Sequence, residues 1–281
     1  MSQTQPQTDQ RARYDRVATG YERWWAPVLA PSARAVLDMV VADVEDGATR
    51  IVDLGTGTGT LSRAMLRRWP SVRVTGIDLS DEMIRATGRH AEAELAPAQL
   101  DRLELRQAAA DRLPFDDRSF DAVVSSFVLQ LVPNRQAVYR EVGRILRPGG
   151  RFAFVTWLGH RTAFAPDAVV DDVLDEAGFD PPEPDGRRGD PASVGAVTAG
   201  LRRAGFQDVH GRRALLEHAF TPESYAGFIE EFDEQDTFAS MARRTRERAH
   251  RRLLEGLRRL PQRDLVFSVP IVYASGRARA A

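Results

Sequence analysis

The amino-acid sequence predicts an α/β fold, a doubly wound parallel sheet covered by helices on both faces. Three observations carry that reading. Short apolar runs alternate with amphipathic stretches from residue 50 onward, at the spacing of βαβ units. The first run leads directly into a glycine loop, "VDLGTGTGTLS" at residues 52–62. The helical stretch before the fifth run stops at "RPGG", with arginine in its last turn and then Pro-Gly-Gly.

Residues 1–10 read as a disordered tail. From Arg11 to about Val44 a helical pattern carries Tyr14, Val17, Tyr21 and Trp24 on one stripe, and Pro27 and Pro31 are expected to break it into two pieces. "RIVDL" is the first strand, and after the glycine loop "LSRAMLRRW" sets Leu61, Ala64, Met65 and Trp69 on one helical face. The alternation continues through "VRVTGID", a helix over Met83 and Ile84, "LELRQA", "FDAVVSS", a helix over Ala137, Val138, Val142 and Ile145, and "RFAFVTW". After Trp157 comes a loop-rich segment ending in "DPPEPDGRRGDP", with room for a helix in "DAVVDDVLDEAGF". "SVGAVTAGLRRAG" is a helix and "FQDVHGRRALLEHAF" a strand. Thr221 and Pro222 suit the N-cap and first position of helices that reach about Leu260. "PIVYASGRA" closes the pattern as a strand, with the proline expected at its first residue.

Composition removes several function classes. The net charge of −1 argues against an electrostatic footprint for nucleic acid. With no cysteine there is no disulfide, zinc thiolate or cysteine nucleophile. All 39 basic residues are arginine, which excludes a Schiff-base lysine and the lysine of a P-loop. The five histidines, at 90, 160, 210, 218 and 250, show no ligand spacing, so no metal is expected. No apolar stretch has the length of a signal peptide or membrane span, and the expectation is a soluble cytoplasmic protein.

The glycine loop spaces Gly55, Gly57 and Gly59 two apart, and Thr60 stands where a dinucleotide-binding loop places its third glycine. Asp53, two residues before Gly55, would repel a pyrophosphate. It suits a ligand with a positive end, such as an α-amino group, or it braces the N–H groups of the loop. Asp78 ends the second strand in "GIDLS", about 20 residues past the loop, where a carboxylate accepts both hydroxyls of a ribose. Asp111, in "AADRLPF" after the third strand, falls at the carboxyl edge of the sheet, within reach of an adenine amino group. Amino-acid tail, ribose and adenine without a phosphate describe S-adenosylmethionine.

Four segments in order, "VDLGTGTGTLS", "GIDLS", "ADRLPFDDRSFDAVVSSFVLQLV" and "EVGRILRPGGRFAFVTW", resemble the class I S-adenosylmethionine-dependent methyltransferases. They look most similar to the group around the ubiquinone/menaquinone-biosynthesis enzymes and many small-molecule methyltransferases. The resemblance covers residues 12–157 well and the rest loosely. It implies a Rossmann-like, doubly wound seven-stranded sheet with its last strand antiparallel, plus a helical lid and insertions. Cofactor contacts are implied at Asp53, Gly55, Thr56, Gly57, Asp78, Leu79, Met83, Asp111, Arg112, Ser126 and Phe127, with Gly59 completing the loop. The organisation that follows is one methyltransferase domain over 11–281. It comprises a lid at 11–45, a cofactor-binding core at 46–157, acceptor-cap insertions at 158–190 and 220–262, and sheet completion at 191–219 and 263–281.

On the acceptor side, Tyr14 or Tyr21 is expected to turn a ring toward the sulfonium cation as the lid closes. Tyr21, Trp25, Gln130, Trp157, Phe228 and Phe232 are the candidate acceptor contacts, and Phe164 and Phe238 are further candidates for the pocket wall. Relatives carry histidine in "LHH"-type runs where this chain has Gln130, so a histidine role does not transfer; His160 and Gln130 are the candidate catalytic residues. The acidic "IEEFDEQD" and the arginine-rich run at 243–259 read as an exposed helix pair exchanging i,i+4 contacts. The expected function is methyl transfer to a small organic acceptor by a monomer or homodimer. The alternatives are an RNA or protein target, or a regulatory protein that binds S-adenosylmethionine without turnover.

Overall fold

The computed structural model describes Asp15 and residues 18–159, 163–179 and 190–279. The tail, Tyr14, Val17, His160 and most of "DPPEPDGRRGDP" lie outside the described residues. Seven strands form one sheet: β1 (Arg50–Leu54), β2 (Arg73–Asp78), β3 (Leu103–Gln107), β4 (Phe120–Ser126), β5 (Leu146–Trp157), β6 (Gln207–Ala219) and β7 (Val266–Arg277). Their order is β3-β2-β1-β4-β5-β7-β6. β1 to β5 pair in parallel, and β7 runs antiparallel between β5 and β6. The seven strands, with the last antiparallel, are those the resemblance implies. The order turns back between β1 and β4, so a crevice opens at their carboxyl ends.

The helices are α1 (Ala26–Arg34), α2 (Val41–Glu45), α3 (Thr60–Arg68), α4 (Asp81–Glu94), α5 (Pro97–Leu100), α6 (Arg135–Ile145), α7 (Ala165–Glu176), α8 (Val194–Arg203), α9 (Pro222–Phe228), α10 (Gln235–Ser240) and α11 (Arg243–Arg259). The strand period of two sends alternate residues into two cores. Ile51, Val124 and Val155 join the core built with Leu29 of α1, Met65 of α3 and Leu253 of α11. Val52, Val123 and Phe154 join the other, against Val142 of α6 and Leu201 of α8.

Three expectations need correction. α1 runs through Pro31, and Pro27 sits in its first turn. Pro31 removes one backbone donor, yet the chain on either side stays helical, and Ala35 N–H still reaches the Pro31 carbonyl at 3.2 Å. β7 begins at Val266, leaving Pro270 inside the strand. The Pro270 carbonyl accepts from Leu158 N–H at 2.9 Å, so its missing donor faces the end of β5 and costs the ladder with β6 nothing. The arginines of α11 reach beyond the acidic run. Arg252 pairs with Glu176 of α7 at 2.9 Å and Arg258 with Glu223 of α9 at 2.8 Å, while His250 joins Glu230 at 2.7 Å.

Candidate functional site

The glycine loop leaves β1 at Leu54 and enters α3 at Thr60. Gly55 has φ +72°, and a Cβ there would lie 2.1 Å from Cγ2 of Val128, so the segment after β4 closes directly onto bare backbone. The N–H groups of Gly55 and Thr56 both donate to the Ile77 carbonyl, at 2.7 and 2.8 Å. Gly57 N–H donates to Asp78 Oδ2 at 2.9 Å, and Gly59 N–H to the Thr56 carbonyl at 2.8 Å. These four donors are spent inside the chain. The loop is therefore not a cradle for phosphate oxygens, which needs such N–H groups aimed outward.

Asp53 stands behind the loop, 1% exposed. Its Oδ2 accepts from Thr56 Oγ1 at 2.9 Å, Ser62 Oγ at 2.7 Å and Ser62 N–H at 3.0 Å. Burial pushes its carboxyl above the usual range, against the pull of those hydrogen bonds. Of the two roles open to it in the sequence, the geometry shows the brace: it ties the loop to the first turn of α3.

Asp78 faces the cleft. Its Oδ1 accepts from Ser80 N–H at 3.0 Å and its Oδ2 from Gly57, and burial pushes its pKa up to about 6. Ser80 caps α4 by accepting from Met83 N–H at 3.1 Å. The same hydroxyl donates to Asp15 Oδ1 at 2.5 Å, so the N-terminal segment is held against the end of β2.

A cleft opens beside Asp78 at this end of the sheet. Gly55, Gly57, Asp78, Leu79, Met83, Asp111, Ser126, Phe127 and Tyr21, all candidates from the sequence, line it. Its described lining holds two carboxylates, Asp78 and Asp111, and no arginine or histidine. Apolar side chains of Leu79, Met83, Leu131 and Val132 share the lining with them. Two acids, apolar walls and internally spent loop donors fit a nucleoside that carries a positive charge and no phosphate. Those features are what S-adenosylmethionine requires of its site. A second cavity is lined by Ala26, Ala30 and Ala33 of α1 and shares Tyr21, Gly55, Gly57, Ser126 and Phe127 with the cleft.

The other candidates lie outside the cleft lining. Thr56 bonds inward to Asp53 and lines the second cavity, Gly59 meets the start of α3, and Arg112 is exposed with its N–H on the Ala109 carbonyl. Gln130 uses both ends of its amide as a brace, donating to the Phe127 carbonyl at 2.6 Å and accepting from Thr156 Oγ1 at 2.7 Å. Trp25 packs 4.9 Å from Phe228, 6.2 Å from Trp157 and 6.4 Å from Phe232, all between ring centroids. These rings fill one another's space and are nearly buried. Phe127 joins them at 4.6 Å from Trp157, with a backbone φ of +55°. Sequence reasoning missed Val128, Leu131, Val132 and Pro133, whose run after β4 reads like any apolar stretch. It also missed Asp15, which carries no motif.

The Methyltransferase domain family matches residues 52–154. The ubiquinone/menaquinone biosynthesis C-methyltransferase of Syntrophotalea carbinolica is 34% identical over 158 residues, 52% of this chain and 60% of that protein. The phosphatidylethanolamine N-methyltransferase of Cereibacter sphaeroides is 34% identical over 144 residues, 50% of this chain and 68% of that protein. The chain thus spans 60% of the length of the first and 68% of the second. Among solved structures, the Haemonchus contortus phosphoethanolamine N-methyltransferase 2, in complex with phosphomonomethylethanolamine and S-adenosylhomocysteine, superposes with a TM-score of 0.56 at 18% identity, over 100% of this chain and 61% of that one. The chain belongs to the class I S-adenosylmethionine-dependent methyltransferases.

Proposed function

We propose that the protein transfers a methyl group from S-adenosylmethionine to a small organic acceptor. The observation that carries it is the pairing of two carboxylates with no basic side chain in the described lining of the cleft. NAD or ATP would bring phosphates against a described lining that holds no cationic side chain. Asp78 takes the ribose hydroxyls, and Asp111 takes the adenine amino group between the apolar walls. Tyr21 and Phe127, shared by the two cavities, close over the sulfonium end, where a ring face suits a cation. The bound donor supplies a methyl group already activated on sulfur, with a neutral leaving group. What the chain supplies is orientation and exclusion of water. Gln130 holds Phe127 in place from behind, which makes it a positioning residue. Asp15 and residues 18–25 act as the lid, and α9 to α11 carry the cap over the acceptor.

Relatives named for ubiquinone/menaquinone biosynthesis and for phosphatidylethanolamine N-methylation support a small-molecule acceptor without choosing oxygen, nitrogen or carbon. Calorimetry with S-adenosylmethionine, S-adenosylhomocysteine, NAD and ATP tests the site. The first two are expected to bind at least about 100-fold more tightly, because the described lining offers a phosphate no charge-assisted partner. Incubation with methyl-labelled donor and a panel of small acceptors then reads transfer. Tight binding with no labelled acceptor would favour the regulatory alternative.

A further inference from the structure

We infer that the free edge of β6 is a homodimer interface, joining two copies about a two-fold axis at Leu215 into one continuous sheet. β6 is the last strand of the sheet, and it is 13 residues long. No further strand among the described residues pairs with it, and an edge of that length presents a row of backbone groups outside the ladder. Two hydrogen bonds fix which residues present them. Phe220 N–H donates to the Leu265 carbonyl of the segment leading into β7, and the Pro270 carbonyl, opposite Leu215, points the other way to Leu158 N–H. Leu215 is therefore in a non-hydrogen-bonded pair with β7. Its own N–H and C=O, and by alternation those of Arg213 and Glu217, face outward.

The side chains on that edge are self-complementary at one register. Arg213, Leu215 and Glu217 share one face of the sheet and are exposed, Leu215 by 54%. An antiparallel pairing centred on Leu215 sets Leu215 against its copy. It sets Arg213 against Glu217 twice, once on each side of the axis, and each of these pairs exchanges two ladder bonds. Ala214 then meets Leu216 on the opposite face, extending the apolar layer. A centre on Arg213 would set arginine against arginine, and a centre on Glu217 would set glutamate against glutamate. Glu217 has the Ser268 hydroxyl at 3.4 Å as its recorded contact, so its carboxylate is not committed to an ion pair within the described residues. The edge lies at the far end of the sheet from β2 and β3, leaving both clefts open.

Sedimentation equilibrium on the full chain at micromolar concentration tests this, with thermal melting and S-adenosylhomocysteine binding as fold controls. The wild type is expected to sediment as a dimer. Arg213→Glu and Glu217→Arg each place two like-charged pairs across the axis, and each is expected to weaken dimerisation about tenfold or more. The double variant R213E/E217R restores opposite charges and is expected to restore the dimer. A monomeric wild type, a dimer indifferent to both single reversals, or a double variant as weak as the singles would each overturn the assignment. None of these outcomes depends on methyl transfer.

Discussion

Asp78 carries the clearest link between one residue's environment and the behaviour of the site. Its pKa is pushed from 3.8 to about 6 by burial, so the ionised form is penalised in the ligand-free fold. The sign follows from linkage. The stability gained by protonating this group in the fold is complete below 3.8 and is lost as pH rises through about 6. At neutral pH the carboxylate is therefore charged at some cost, which two donating ribose hydroxyls would offset. Affinity for S-adenosylhomocysteine is then expected to be level above about pH 7 and to fall about tenfold per pH unit below pH 6. Asp78→Asn should remove that dependence and weaken binding about 10- to 100-fold, as loss of charge-assisted hydrogen bonds does. Titration calorimetry between pH 5 and 8 reads both effects. An affinity unchanged down to pH 5 would take Asp78 out of the ligand site.

Among the elements, the turn Tyr21–Trp25 decides how the N-terminal segment meets the cleft, and its seat is set by an absent side chain. A Cβ at Gly227 in α9 would lie 2.3 Å from Cζ2 of Trp24. Only glycine there admits the indole, whose Nε1–H donates to Glu231 Oε2 at 2.8 Å, beside Arg23 at 3.2 Å. Gly227→Ala is expected to unseat Trp24, raise hydrogen exchange over residues 18–25 and weaken S-adenosylhomocysteine binding about tenfold, in the range of an overpacking penalty. Faster exchange with unchanged affinity would separate this turn from the site. Such a notch is invisible in the sequence, because a glycine within a helix looks the same whether it packs against an indole or water. Pro31 and Pro270 were misread for a related reason: whether a lost N–H matters depends on which neighbour it faces, and that is tertiary. The strands β1 to β5 were legible because alternation and glycine act locally. Asp53, Asp78 and Asp111 were legible because each sits at a strand end or just beyond it, where direction follows from the fold class. The aromatic residues of the cap were legible as a cluster. That Trp25, Trp157, Phe228 and Phe232 pack on one another could not be read from their spacing.

For the whole molecule, the ligand cleft and a set of arginine–carboxylate clamps lie at opposite ends of the sheet, and stability and ligand binding separate along that axis. At the carboxyl ends of β1, β2 and β4 the carboxylates of Asp78 and Asp111 line an open cleft. At the opposite end the acids are saturated with arginine and backbone donors. Asp121 at the start of β4 accepts from the N–H groups of Thr49 and Arg50, both at 2.9 Å, and pairs with Arg147. Asp43 of α2 pairs with Arg151 of β5 and, at 2.8 Å, with Arg277 of β7. It thereby ties the first helical segment to the two strands that join the parallel half of the sheet to its antiparallel edge. The Asp43 side chain is 8% exposed, so removing it leaves the mostly buried Arg151 and the partly exposed Arg277 without their shared counter-charge. Asp43→Ala is expected to cost about 3 kcal/mol of stability, the scale of breaking a buried pair by deleting one partner. Because the clamp and the cleft share no residue, affinity for S-adenosylhomocysteine at a temperature where the variant is folded should stay within about twofold of wild type. Thermal unfolding and calorimetry on the same sample measure the two quantities together. A loss of affinity in step with the loss of stability would mean that the ends are coupled through the sheet, and that the arginine clamp also shapes the cleft.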